Sequence, residues 1–515
     1  MSDPGSARPG TPAQGEGPRD DMAALARGGR TNFFGFLIRL AARIPFLFIA
    51  GRLYGDEMLG RFAAAVVVIE LASQVAVLGQ KRGLAQQLSE DDHRPPAHIV
   101  ADAMTLSMIT SLVFTAILLV FPEPMFPNGR NGEWSWLLPL TILPFALTEV
   151  ALAACAYRFD IGATVRSRAV VEPWAISIAA GALFFVVPDS GLEVAYVISI
   201  AAASFAAFFP VVRHYGLPHG WTPHPARVFR LAMRNLPLAG ADAIEWGTRK
   251  LDLAILAQFA SPSQVGVYYA VQQVATLPQK LKTSFDPILG PVITAALKVG
   301  DRSAIASQVC QVGFWIVAMQ AGVALALAIP GEAVMGLLGP DFVSGTGALS
   351  ILLVAEVVAA LAVVSESALV YIARKRNLMV SVATILFQAA LTIAFMVAIT
   401  EYDLPEYWRA PAAALALAVS LAGASIAKSM LLGRILGQSV NNFRWGLFAA
   451  AIPAAAVGWL ATQVPEWLEL AVGIPAILLT YGAIIWFVGF RPEDRVLFRR
   501  NMTPAEGADS TKGAV

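Results

Sequence analysis

The sequence predicts an all-α polytopic membrane protein of about fourteen transmembrane helices, laid out as two parallel six-helix bundles plus two C-terminal helices. Three observations carry that expectation: composition, a succession of long apolar runs, and a charge pattern that alternates from one connection to the next. Apolar residues make up 57% of the 515-residue chain and charged residues 14%, whereas a soluble domain has about a quarter of its residues charged. The solvent for most of the chain is therefore lipid. The two cysteines are too few for a disulfide framework or a cysteine-based metal site.

Runs long enough to cross a hydrocarbon core, roughly 20 residues each, follow one another along the chain. In the first half they are Phe33 to Leu53, Phe62 to Gly79, Ile99 to Phe121, Trp134 to Ala156, Ala169 to Val187 and Val194 to Val212. The second half has Leu236 to Phe259, Val265 to Leu289, Ile305 to Ile329, Ala348 to Ala373, Leu378 to Ile399 and Ala410 to Leu432, then Trp445 to Ala461 and Leu468 to Phe490. Residues 1–30, rich in Gly and Pro and without the apolar centre of a secretory signal, read as a disordered tail. The expected units are a bundle at 31–213, a linker at 214–234, a bundle at 235–433, two helices within 445–490 and a tail at 491–515.

The positive-inside rule tests this list, because one missed or invented helix would invert every later connection. Alternate connections and tails hold about 26 lysines and arginines on one side and about 4 on the other. The basic side includes Lys81, Arg82, Arg234 and the run Arg374, Lys375 and Arg376; the other includes Arg52, Arg61, Arg130 and Arg409. Both termini are therefore expected in the cytoplasm. The outward connections are short and lean acidic, as at Glu401, Asp403 and Glu406, with no room for a folded catalytic domain. His214, His219 and His224 in the linker have loose spacing with flanking prolines and read as part of a basic loop, not a metal site.

Two local alignments point to an internal repeat. An offset of 206 lays Gly55 to Phe62 over Ser261 to Tyr268 and Arg43 over Arg249; an offset of 217 lays Glu149 over Glu366. Each repeat holds six helices, so both halves enter the membrane in the same direction, one of the recurring layouts of secondary transporters.

A charge at mid-bilayer costs about 2.5 to 3.5 kcal/mol, so charges retained there should face water or one another. On helix 7, Asp242, Glu245, Arg249 and Asp252 fall within an arc of about 80°. Helix 8 adds Gln272, Gln273, Lys280 and Asp286; helix 2 adds Glu70 and Gln74; helix 1 adds Arg39 and Arg43. These four helices are expected to line a common hydrated cavity. A guanidinium suits phosphate because its planar donor fork stays charged and binds two oxygens at once. Arg43 and Arg249, assisted by Lys280, are the expected grip on a pyrophosphate; the alternative is that they pair with Glu70 or Asp252 and hold helices together. Glu149 and Glu366 are candidates for ion or proton coupling.

The stretch from Lys250-Leu251-Asp252 through Ser261-Pro262-Ser263-Gln264-Val265-Gly266-Val267-Tyr268 resembles polysaccharide-export flippases, the Wzx-like branch of the MOP transporter superfamily. Arg52 to Gly60 resembles the first turn of that family and Leu338 to Phe342 a later one; Arg61-Phe62 departs from it, where an aliphatic residue and Tyr are usual. The resemblance implies two bundles around a central cavity and alternating access. It also implies a prenyl-pyrophosphate oligosaccharide as cargo, carried across a bacterial cytoplasmic membrane for polysaccharide or lipopolysaccharide synthesis. The implied partners are membrane lipids, that lipid-linked cargo and a polysaccharide polymerase or ligase. No cofactor, nucleic acid or enzymatic step is expected. With no ATP-binding P-loop in the sequence, energy would come from an ion gradient or from consumption of the product. Two readings compete: a MATE-like cation or drug antiporter, which favours an acidic cavity, and a membrane-embedded polymerase or ligase, which expects a large outward loop.

Overall fold

The computed structural model describes residues 44–90, 93–279 and 301–491, with the single positions 293, 297 and 494. A helix stands at each of the fourteen expected places. The first is described over residues 44–54; α2 is Gly55–Ala76, α4 Pro96–Val120, α5 Ile142–Tyr157, α6 Glu172–Leu183 and α7 Gly191–Tyr215. An eleven-residue helix between spans, α3 at Gln80–Glu90, was expected only as an inward loop. Its buried Leu84 and Leu88 lie four apart on one face while Lys81 and Arg82 stay exposed, so it is a surface helix and not a crossing.

The second half comprises α8 Pro225–Phe259, α9 Pro262–Gln279, α10 Arg302–Ala328, α11 Thr346–Ile372, α12 Arg374–Glu401 and α13 Arg409–Leu436. α14 Gly446–Ala461 and α15 Ile474–Ile484 follow. Proline starts α8 and α9, where its missing N–H costs nothing, and Gly437 ends α13 in the left-handed conformation open to glycine. Among the described residues nine helical runs are long and apolar enough to cross a membrane. The helices at spans 7 and 8 are not among those runs, because they carry the polar side chains of the interior.

The exterior is apolar, as lipid requires: Phe205, Leu386 and Leu479 are 80%, 65% and 73% exposed. Exposed aromatics such as Trp134, Trp136, Tyr402 and Trp467 gather at the acidic end, where amphipathic rings settle at a membrane interface. A buried cluster runs from the first bundle through α9 into α11 and α13, and a second one surrounds Phe314 and Trp315 of α10 beneath α14 and α15.

At the acidic end the two bundles are sealed. α2 crosses α9 so closely that a Cβ on Gly60 would overlap the Pro262 carbonyl oxygen, and one on Gly266 would overlap that of Asp56. Ser263 hydrogen-bonds the Asp56 carboxylate, Asn128 Nδ2 donates to the Ala260 carbonyl at 3.0 Å, and Arg52 donates to the Leu337 and Gly336 carbonyls at 3.0 and 2.8 Å.

Candidate functional site

A cavity of about 1060 Å³ lies inside the second bundle, walled by α8, α9, α11, α12 and α13, with Gln320 of α10 at its depth and Arg82 and Gln86 of α3 at its mouth. Its wall reaches Arg234, Arg374 and Lys375 near the basic end and includes nothing from the acidic-end connections. Access is therefore from the basic end. At 1.5 Å per residue, Arg249 stands roughly 15 Å short of the acidic end of α8.

Charge is the wall's main property. Arg82, Arg234, Arg249 and Lys250 combine with Arg374, Lys375 and Lys428 against the three carboxylates Glu245, Glu356 and Glu366, a formal excess of four positive charges. Arg249 is exposed within this space. Lys428 is buried and pairs with Glu366 at 2.9 Å. α11 and α13 are not among the helices expected to line the space, yet Glu356 and Lys428 are intramembrane charges on them, and the cost of such charges is the available signal.

The polar stripe of helix 7 divides. Glu245 and Arg249 face the cavity. Asp242 is buried and receives Arg82 Nε at 3.1 Å, while Glu245 takes the same guanidinium at 2.6 Å. Asp252, fully buried, accepts from Tyr268 Oη at 2.5 Å and Gln272 Nε2 at 2.7 Å, which clasps α8 to α9. Asp242 and Asp252 are thus outside the cavity wall, because each is already covered by a hydrogen-bonding partner. Gln272 and Gln273 are in the wall.

Glu70 and Gln74 of α2 are not in the wall either; Glu70 lies within electrostatic reach of Tyr196 on α7, inside the first bundle. The expectation of a space shared by helices 1, 2, 7 and 8 is corrected for helix 2: among the described residues α8, α9, α11, α12 and α13 form it. α2 lies instead against α9, where Gly60 and Gly266 remove the room between them. Arg39, Arg43, Lys280 and Asp286 lie outside the described residues. Glu149 pairs with Arg168 at 2.6 Å and Lys81 at 3.6 Å, away from the cavity.

At the mouth, α3 and α8 are tied by the Arg82 pairs and by Arg234 to Glu90 at 2.5 Å. Arg227 at 3.3 Å and Trp221 Nε1 at 2.8 Å both reach Asp102 of α4. Outside the spans, Asp160 meets His214 Nε2 at 3.0 Å and Arg166 at 3.6 Å; the histidine hydrogen bond holds its carboxyl below the usual carboxylate range. No cluster of His, Cys, Asp and Glu suited to a metal ion occurs among the described residues.

The sequence matches no protein-family model and no curated protein sequence. Solved structures are similar in fold. A lipid II flippase, MurJ, in an inward closed conformation aligns with a TM-score of 0.69 at 11% identity, covering 91% of this chain and 100% of that one. An inward-facing multidrug resistance MATE family transporter of the MOP superfamily aligns at 0.62 and 14% identity, covering 78% and 99%. A Vibrio cholerae MATE transporter in its bent form aligns at 0.54 and 12% identity, covering 81% and 98%. The fold is shared with this flippase and these MATE transporters.

Proposed function

We propose that this protein moves a lipid-linked oligosaccharide, joined to its prenyl chain through pyrophosphate, across the bacterial cytoplasmic membrane by alternating access. The single observation that carries the reading is the cationic cavity. An excess of positive charge in a space bounded by apolar helices suits an anionic cargo and opposes a cationic one, since like charges at low dielectric repel strongly. Sealing at the acidic end and access from the basic end fit loading from the cytoplasm, with both termini on that side. The fold likeness to a protein named a lipid II flippase agrees with a lipid-linked cargo. No covalent step is required.

Arg249, exposed at mid-depth, is the phosphate contact in this reading, with Arg43 and Lys280 its expected partners. The prenyl chain stays in lipid while the bundles rock, and a polymerase or ligase takes the glycan outside. The test is translocation of a fluorescent prenyl-pyrophosphate sugar in proteoliposomes. Arg249→Ala should slow it at least about tenfold, the scale of one charge-assisted hydrogen bond, and Arg249→Lys should restore part of the rate. Wild-type rates in Arg249→Ala, or transport of cationic dyes in place of the sugar lipid, would overturn the proposal.

A further inference from the structure

The cavity is polar in two different ways along its length. Arginine and lysine crowd its mouth, at Arg82, Arg234, Arg374 and Lys375, whereas its deep end adds three amides, Gln272, Gln273 and Gln320, to Arg249, Lys250, Glu356 and aliphatic side chains. Gln320 lies about 12 Å from the acidic end of α10, and Gln272 and Glu356 about 15 Å from the corresponding ends of α9 and α11. Gln273 and Thr276, half-buried, complete this wall.

Two of these amides have unused hydrogen-bonding capacity. Gln320 is fully buried, and neither its Oε1 nor its Nε2 has a partner among the described residues. Gln272 is 5% exposed; its Nε2 is committed to Asp252, which fixes the amide so that Oε1 is left over. A buried polar group without a partner costs stability, so its retention needs an explanation. Gln320 breaks no internal bond when its side chain turns toward the cavity.

We propose that Gln272, Gln273 and Gln320 form a subsite for the uncharged, hydroxyl-rich sugar of the cargo, beside the phosphate contact at Arg249, which lies at a similar depth. This rests on the flippase reading. A hydroxyl donates and accepts at once, which matches an amide pair offering both an oxygen and an N–H; a phosphate, an acceptor only, leaves the amide oxygens unmet. The subsite therefore selects for glycosylation of the lipid and the cationic wall for its charge.

Binding to purified protein in nanodiscs separates the two parts. The probes are a short-chain prenyl pyrophosphate and the same lipid carrying one N-acetylglucosamine on its terminal phosphate. Gln320→Leu should weaken the glycosylated probe roughly fivefold, the value of one neutral hydrogen bond, leave the sugar-free probe unchanged, and not lower the melting temperature. Gln273→Leu, on the half-buried wall, should show the same split. Equal weakening of both probes, or a lowered melting temperature with both variants, would mean that the amides serve the fold and would overturn the subsite. Unchanged affinity for both probes would overturn it while the flippase reading stands. Failure of the wild type to bind either probe would remove the flippase reading and the subsite with it.

Discussion

Gly60 and Gly266 face each other where α2 crosses α9, and each is pressed against the other bundle at the equivalent place: Gly60 on the Pro262 carbonyl, Gly266 on the Asp56 carbonyl. Under the offset of 206, Gly60 maps to Gly266 and Asp56 to Pro262. The contact is therefore reciprocal, as across a two-fold axis. It is also the point where the acidic end closes.

Alanine at either glycine should act alike. Gly60→Ala and Gly266→Ala each put a methyl group into a backbone carbonyl, and overpacking of this kind costs about 1–3 kcal/mol. Thermal unfolding in detergent should show comparable losses for both, with a cysteine at Ser263 becoming open to labelling as the helices part. One silent variant would argue against the reciprocal contact.

Arg82 bridges the bundles by holding Asp242 and Glu245 of α8 at 3.1 and 2.6 Å. Its side chain is 47% exposed, that of Asp242 only 5%. Arg82→Ala strands the buried carboxylate, and with solvent screening on the arginine side the expected loss is about 1–3 kcal/mol. Adding Asp242→Asn should recover most of it. A double-mutant cycle without coupling would show that the pair does not tie the halves together.

An offset of 217 lays Glu149 over Glu366, but of the two only Glu366 faces the cavity. Glu366→Gln should make translocation roughly tenfold less responsive to an imposed ion gradient, because a coupling carboxylate has to be reached from the cargo's path. Glu149→Gln should leave that response intact and lower stability only, since Arg168 keeps Glu172 at 2.6 Å. Equal responses in the two variants would separate Glu366 from coupling.

At the basic end the Asp160 carboxyl is held below its ordinary value, first by the hydrogen bond with His214 and further by Arg166. A depressed carboxyl stabilises the fold at pH above its unfolded value and loses that contribution as pH falls through the folded one. Melting temperatures from pH 7 to pH 3 should therefore show Asp160→Asn below wild type at neutrality, with the gap closing in the acid carboxylate range. A gap of constant size would assign the difference to something other than this carboxylate.

The hydropathy runs alone marked the place of each expected span, because the demand for about 20 apolar residues per crossing is local and leaves its mark on each segment. The short match between Gly55 to Phe62 and Ser261 to Tyr268 aligns Gly60 with Gly266, and that these two glycines meet is seen only in the structure. α3 escaped notice because its short amphipathic pattern sits in a charged connection, where no membrane rule singles it out.

Membership of the cavity was not legible in the same way. Arg249 and Asp252 share one face of α8 in sequence, three residues apart, yet one opens into the cavity and the other is closed over by Tyr268 and Gln272 of α9. Periodicity says which side of a helix is polar. Which part of that side meets water is decided by the neighbour that covers the rest, and that neighbour is set by packing between distant segments. The all-α, many-helix membrane architecture thus belonged to the sequence, because each crossing leaves a local apolar run, while the placing of the basic cavity within the second bundle was decided only by the tertiary structure.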